Sequence, residues 1–257
     1  MSTPRFQILK NSGAGYRLVL GLLVLLAGAG LVAAHYMESR GHQVTGMDNQ
    51  IVWGLPHVFA VYLILAASGA LNAASVSSVF GRTDFSPLTR LSGLLAITLL
   101  VGGLAVLVLD LGRPDRLIVA MTHYNFKSVF AWNIFLYTGF VVVVIGYLWM
   151  MMEPRMNRYT KQVGLLALCW RFVLTSGTGA IFGFLVAREA YDTAIMAPMF
   201  IVMSLAQGTA VFLLVSTAVF HWSGYRPAAE LVAKLRRLLA IFILVVLYLV
   251  VLYHLTN

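Results

Sequence analysis

The sequence predicts an all-α fold, a polytopic bundle of about seven transmembrane helices with its N-terminus in the cytoplasm. Three observations predict this class. Apolar residues make up 60% of the 257-residue chain and charged residues 11%, whereas soluble domains average about 45–50% and about 25%. The apolar residues gather in long runs, and the Lys and Arg residues are divided unevenly among the intervening loops. This composition excludes a soluble enzyme, a disordered protein and a nucleic-acid-binding domain, although the net charge is +9.

Seven apolar runs reach the length of about 20 residues that a helix needs to cross a bilayer. The predicted spans are 17–37, 51–80, 88–110, 129–152, 162–187, 195–220 and 235–253. The first run is too long for the core of a cleaved signal peptide, which measures about 7–15 residues. Strand-like alternation is absent from the runs, so the spans are helices rather than barrel strands. We therefore treat residues 1–257 as a single membrane domain.

The cations predict the orientation of these spans. Of the 18 Lys and Arg residues, 12 lie in the N-terminal segment and in the second, fourth and sixth loops, and five lie on the opposite side. Because Lys and Arg mark cytoplasmic loops, the first, third and fifth loops face outward. The prediction is a multi-pass protein of the bacterial inner (cytoplasmic) membrane, with its outer loops in the periplasm if the cell is a Gram-negative bacterium.

Side chains that can handle protons collect on the predicted outer side. The outer residues of this kind are His35, His42, His57, His123, His254, Asp48, Asp110, Asp115, Glu189 and Asp192. Histidine exchanges protons near neutral pH, so this distribution suggests a proton-handling site at the outer surface. The alternative, that they are solvated loop residues, is favoured for His42 and Asp115. The single cysteine, Cys169, excludes an internal disulfide framework and a thiolate-ligated iron–sulfur cluster.

The second span carries a polar stripe. At 100° per residue, His57, Ser68, Asn72 and Ser75 lie within about 60° of one another, so they face other helices rather than lipid. Helix packing explains the two serines and the asparagine. His57 is the functional candidate, because it lies near the start of the span beside Trp53, which is either part of the same site or an interfacial anchor.

The third loop combines helix-ending and hydrogen-bonding residues. Residues 111–114 contain the glycine and proline that end the third span, and Asp110 beside two arginines predicts a structural ion pair. Further along, Asn125 or Ser128 can cap the next helix. His123, Tyr124 and Asn125 could alternatively direct hydrogen bonds into a pocket beneath the loop.

The fifth span places Arg171, Thr175, Thr178 and Glu189 on one face. Arg171 and Glu189 are 18 residues apart, about 27 Å along a helix. One interpretation is a proton path between the membrane surfaces. The other is that Arg171 snorkels to the cytoplasmic rim while Glu189 pairs with a neighbouring arginine. We favour snorkelling for Arg171 and leave both roles open for Glu189.

Taken together, these segments resemble the NrfD/PsrC family of polysulfide reductase membrane subunits. The resemblance covers roughly residues 48–210 and depends on the order and spacing of several short motifs. These are Trp53-Gly54-Leu55, the run 110–114, the Asn125, Ser128 and Trp132 segment, and Pro198-Met199-Phe200 with Ser204 and Gly208. Within the family, the chain looks most similar to the DsrP-type subunits of sulfite-reductase-linked transmembrane complexes.

The resemblance implies a subunit of a respiratory oxidoreductase complex that oxidises quinol or reduces quinone, either menaquinone or ubiquinone, at the periplasmic side. It implies no haem or iron–sulfur cluster in this chain, a ferredoxin-like iron–sulfur partner subunit with further complex subunits, and a place in sulfur-compound metabolism. Residues 51–187 would form the four-helix bundle of the quinone site, and 17–37 an extra first helix. Residues 195–254 would form part of a second bundle. Family members usually have eight or more spans, so that bundle, or the chain itself, is expected to be incomplete.

Quinol oxidation needs an apolar slot, hydrogen bonds to both oxygens and a base. We expect His57, next to Trp53, to contact one oxygen. The other oxygen could be contacted by His123, Tyr124 or Asn125. Protons could pass outward through Asp110 or Glu189. Electrons would leave to the partner subunit, and quinone reduction by the reverse route is equally compatible.

Two alternatives come from other classes of protein. A haem b cytochrome would use facing histidines such as His35 and His57, but no second histidine lies well inside a span. A transporter would show broken helices at mid-membrane. For such a break the only candidate is the Gly177, Gly179 and Gly183 cluster, which close packing also explains. The cytoplasmic N-terminus and a seventh span without lysine argue against a receptor or retinal protein.

Overall fold

The computed structural model describes residues 13–48, 50, 53–109, 111, 114–185, 191–224 and 228–256. These residues form helices and connecting turns, without a strand among them. The α-helices are α1 Ala14–Arg40, α2 Leu55–Ala70, α3 Asn72–Ser78, α4 Thr89–Leu109, α5 Leu117–Thr122, α6 Val129–Met152, α7 Thr160–Gly183, α8 Met196–Ser223 and α9 Ala229–Thr256. Short 3₁₀ helices occupy His42–Thr45, Thr83–Leu88, Pro114–Arg116 and Asn157–Tyr159.

Seven helical segments within the described residues are long and apolar enough to span a membrane, with α2 and α3 together forming the second. The predicted all-α, polytopic fold is confirmed, and the chain is a multi-pass integral membrane protein. The largest difference between a predicted and an observed helix end is at the last span, where the helix begins at Ala229 rather than at residue 235. Alanine, glutamate, leucine and lysine all favour helix there, so the helix extends beyond the apolar run.

The second span is the centre of the bundle. Helix α2 packs against α4 on one side and α8 on the other, while α6 packs against α7 and α7 against α8. Helix α4 also contacts α6, and α9 packs against α8. The main core lies among α2, α4, α6 and α7 and includes Ile64, Leu100, Phe140, Val144 and Leu174.

Helix α1 lies at the periphery. Its only buried side chains among the described residues are Ala34 and Met37, whereas eight residues of the shorter α2 are buried. An apolar helix that contributes so little to the core is covered mainly by lipid.

Glycines permit the closest helix contacts. A Cβ added at Gly69 of α2 would overlap the Ser204 backbone of α8, and one added at Gly208 would overlap the backbone of Gly69. The backbones of α2 and α8 are therefore in direct contact at these two glycines. On α7, a Cβ at Gly179 would lie 2.8 Å from the Met196 oxygen at the start of α8, and one at Gly183 would lie 2.8 Å from the Thr193 oxygen just before it.

The membrane helix that is interrupted is the second span and not the fifth. Of the glycine cluster that was the predicted candidate for a break, Gly177 and Gly179 lie within the continuous helix α7, which ends at Gly183. The second span instead has a turn at Leu71, between α2 and α3. The Ser92 hydroxyl of α4 donates to the Ala70 carbonyl at 2.6 Å and accepts from the Ala74 amide at 3.2 Å. This serine replaces the backbone hydrogen bond that the turn removes.

Candidate functional site

His57 stacks on Trp53 at the start of the second span. The ring centroids are 4.9 Å apart and the ring planes differ by 4°. Pro56 lies in the first turn of α2, where its missing N–H costs no helical hydrogen bond. The His57 amide donates to the Gly54 carbonyl at 3.1 Å. The turn before α2 therefore holds both rings on the same side of the helix end.

Phe182 of α7 connects this stack to the neighbouring helices. Its ring meets Trp53 edge-on at 5.1 Å, and it lies 5.3 Å from Phe200 of α8. Tyr191 approaches Phe182 from the other side at 6.0 Å. The Trp53 and Phe200 motifs, which are 147 positions apart in the sequence, therefore converge on one phenylalanine.

The walls beside this stack are apolar. Phe200 belongs to a buried cluster with Leu65, Met196 and Met199, against which Phe182 packs. His57 and Trp53 are half-buried. The geometry is that of a proton-exchanging imidazole at the edge of an aromatic and aliphatic surface, which suits a flat ring with polar oxygens.

The predicted third-loop residues gather in a different cluster. The Tyr124 ring lies 4.3 Å from Phe135 and 6.1 Å from Phe126. Asn125 accepts a hydrogen bond from the Lys127 amide within its own turn, at 3.1 Å. His123 is exposed, with its Nδ1 3.0 Å from the Thr122 hydroxyl. The structure does not bring these side chains into the aromatic stack around His57.

Asp110 and Glu189, the predicted proton-passing carboxylates, lie outside the described residues, as do Arg113 and Arg188. Their ion pairs and roles stay predictions. Asp192, on the same predicted outer side, is exposed.

Arg171 does not snorkel to a membrane surface, so that prediction was wrong. Its side chain is 4% exposed. One terminal nitrogen donates to the Asn72 side-chain oxygen at 2.8 Å and to the Ser68 carbonyl at 3.2 Å. The Asn72 amide nitrogen donates in turn to the Thr209 hydroxyl at 2.8 Å. Ser68 and Asn72 thus hold a buried cation at the interrupted second span rather than only packing helices.

Tyr147 of α6 is a buried polar residue that the sequence analysis missed. Its hydroxyl donates to the Ala74 carbonyl at 3.1 Å and also contacts the Ser78 hydroxyl. Ser92, described above, was missed as well. The available signal was a hydroxyl side chain inside a largely apolar span, since such groups usually find a partner within the bundle.

Comparison with known proteins places this geometry in a family context. A family model described as "Polysulphide reductase, NrfD" matches residues 43–257. The chain is 28% identical over 193 residues, 74% of its length, to the Hdr-like menaquinol oxidoreductase integral membrane subunit of Archaeoglobus fulgidus. It is 29% identical over 194 residues, 67% of its length, to a chain of the polysulfide reductase of Wolinella succinogenes.

A third relative is the menaquinone reductase integral membrane subunit of Nitratidesulfovibrio vulgaris, 27% identical over 149 residues, 58% of this chain. The curated relatives are longer than this chain. The matches cover 49% of the Archaeoglobus protein, 60% of the Wolinella protein and 36% of the Nitratidesulfovibrio protein. The family match begins after α1, so the peripheral helix lies outside it.

Proposed function

Because the chain belongs to the polysulphide reductase NrfD family, we propose that it is a quinone-exchanging membrane subunit of an oxidoreductase complex. The observation that carries the proposal is the stack of His57 on Trp53, joined through Phe182 to Phe200. All four residues lie within the matched region. Two of the relatives are named for menaquinol or menaquinone, so menaquinone is the substrate to test first.

The chemistry needs a polar contact next to an apolar surface. Quinol oxidation yields quinone, two protons and two electrons. His57 would accept a proton from one quinol hydroxyl, and the neighbouring rings would exclude water from the quinone face. In quinone reduction, the same imidazole would donate the hydrogen bond.

We also propose roles for the other residues that the sequence analysis singled out. His123, Tyr124 and Asn125 are candidates for the second quinone oxygen, and of these Tyr124 is the half-buried one. Asp110 and Glu189 are candidates for carrying protons to the predicted periplasmic side. Electrons would pass to a partner subunit, for which we propose a periplasmic ferredoxin-like iron–sulfur protein. The Wolinella relative favours a sulfur compound as terminal substrate.

The proposal predicts that His57→Ala weakens binding of a fluorescent menaquinol analogue to the purified full chain by about tenfold or more, since a hydrogen bond to a buried oxygen is lost. The change in fluorescence on titration measures the affinity. Menaquinol-dependent electron transfer in membranes that contain the partner subunits should fall by about 100-fold or more.

His35→Ala is the matched control, because His35 is exposed on the peripheral α1 and lies outside the family match. We expect this variant to bind the analogue as the unmodified chain does. Unchanged binding and turnover in His57→Ala would contradict the assigned site. A haem absorption band that disappears in both variants would support the cytochrome alternative instead.

A further inference from the structure

A large cavity opens between helices at the other end of the bundle. Its volume is about 1100 Å³, and it lies among the C-terminal end of α3, the start of α4, the end of α6 and the start of α7. The loops beside it are the second and fourth, which the distribution of Lys and Arg predicts to be cytoplasmic. This volume would hold a phospholipid headgroup with the first part of its chains.

The polar part of the cavity is positively charged. Arg90, Arg158 and Lys161 line it, and the described residues of its lining include no carboxylate. The Arg90 guanidinium donates to the Met151 carbonyl at 3.3 Å. The guanidinium of Arg158 lies over the Tyr159 ring, 4.6 Å from the ring centroid.

Helix α7 adds to this charge. It begins at Thr160, within the cavity lining, and its N-cap residue Tyr159 makes no side-chain capping hydrogen bond. The N-terminus of a helix carries partial positive charge, although the Thr160 amide itself donates to the Asn157 carbonyl of the preceding 3₁₀ helix. The cavity therefore combines three cationic side chains with a helix end of the same sign.

The wall below the cations is apolar and open toward the lipid. Leu94 and Met152 line the cavity and are both 56% exposed, and Leu91 and Leu148 line it as well. The cavity lining thus combines charged and apolar side chains, as a phospholipid combines a charged headgroup with acyl chains. Basic pockets between membrane helices on the cytoplasmic side suit anionic headgroups.

We propose that this cavity binds the headgroup of an anionic phospholipid from the cytoplasmic leaflet. The phosphate accepts hydrogen bonds from Arg158 and Lys161, and Arg90 lies beside it. The acyl chains run along Leu94 and Met152. The site lies at the end of the bundle opposite to His57 and stands independently of the quinone proposal.

The test compares lipids and matched variants of the purified full chain. Detergent-solubilised protein is titrated with phosphatidylglycerol or phosphatidylcholine carrying the same acyl chains, and bound lipid is counted by native mass spectrometry. We expect phosphatidylglycerol to bind preferentially. The double variant Arg158→Gln/Lys161→Gln should weaken its binding on the order of 30-fold, because each cation near an anionic headgroup contributes about fivefold.

The control is Arg155→Gln/Arg237→Gln, which removes the same charge from exposed positions outside the cavity lining. It should bind phosphatidylglycerol as the unmodified chain does, and phosphatidylglycerol should raise the melting temperature of both. Equal binding of the two lipids, equal loss in both double variants, or no loss in Arg158→Gln/Lys161→Gln would overturn the proposal. So would complete displacement of the lipid by millimolar inorganic phosphate, which would indicate a site for the free anion.

Discussion

Arg171 carries its positive charge into the centre of the helical bundle. A buried charge is costly unless hydrogen bonds satisfy it. The Ser68 carbonyl and the Asn72 side chain accept two such bonds, while the Arg171 Nε atom is buried without a hydrogen-bond partner. Asn72 is therefore the residue on which the stability of this charge depends most directly.

Removing Asn72 should cost more stability than removing Arg171. Asn72→Leu leaves a buried guanidinium with fewer acceptors, which should cost about 3–5 kcal/mol. Arg171→Leu takes a donor away from two neutral acceptors, the Asn72 side-chain oxygen and the Ser68 carbonyl, which should cost about 1–3 kcal/mol. Denaturant titration of the detergent-solubilised variants, followed by circular dichroism, measures both values.

The double variant Asn72→Leu/Arg171→Leu provides the control. Since it removes the charge together with its acceptor, its stability should lie close to that of Arg171→Leu alone. If the losses of the single variants simply added, the two side chains would not be coupled as the 2.8 Å hydrogen bond between them indicates.

The sequence predicted which residues are polar inside the spans but not which of them meet. Arg171 and Asn72 are 99 positions apart, and a helical wheel places each on a face without saying what the face touches. An arginine within reach of a rim by its own length is expected to snorkel. The acceptors that hold it inside come from another helix, and no local pattern encodes them.

The backbones of helices α2 and α8 approach so closely that no side-chain atom can be added between them. Each backbone fills the space where the other would need a side chain, at Gly69 and at Gly208. Without a strong hydrophobic force between helices in lipid, such close contact is a main source of helix association. A methyl group at this point would separate two central spans.

Gly69→Ala should therefore destabilise the bundle by about 3 kcal/mol, because the added Cβ overlaps backbone atoms of Ser204 that cannot rotate away. The matched variant is Gly146→Ala in the middle of α6, where the added Cβ has nothing within 4 Å. Its effect should stay within about 1 kcal/mol. The melting temperatures of the two variants are compared in the same detergent, and Gly69→Ala should melt at the lower temperature. Equal values would show that α2 and α8 are not in backbone contact.

The helices were predictable in number and class, because run length and composition alone determine whether a segment can span a bilayer. The turn at Leu71 was not. It contains no proline, the nearest glycine is Gly69 inside α2, and Ser92 of α4 completes the hydrogen bonds around it. An interruption supported by another helix leaves little trace in its own segment.

The two candidate sites lie at opposite ends of the helical bundle. The aromatic stack around His57 lies at the start of the second span, whereas the cationic cavity lies at the end of that span. The sequence predicted the first from Trp53 and His57. It could not predict the cavity, because Arg90, Arg158 and Lys161 were counted only as markers of topology, and their convergence depends on how α4, α6 and α7 pack.

Both proposals depend on the orientation of the chain, so its topology is the last prediction. Single cysteines at Val44 and Arg155, both exposed in loops, are introduced into a Cys169→Ser background. The distribution of Lys and Arg puts Val44 outside and Arg155 inside. A membrane-impermeant maleimide added to intact spheroplasts should therefore label Val44→Cys at once and Arg155→Cys only after permeabilisation. The unmodified chain, whose Cys169 is exposed on the surface of α7 within the fifth span, should remain unlabelled in both conditions. The opposite pattern would place His57 at the cytoplasmic face and the cationic cavity at the outer one. Quinol oxidation would then release its protons inward, and the lipid proposal would lose the leaflet on which it depends.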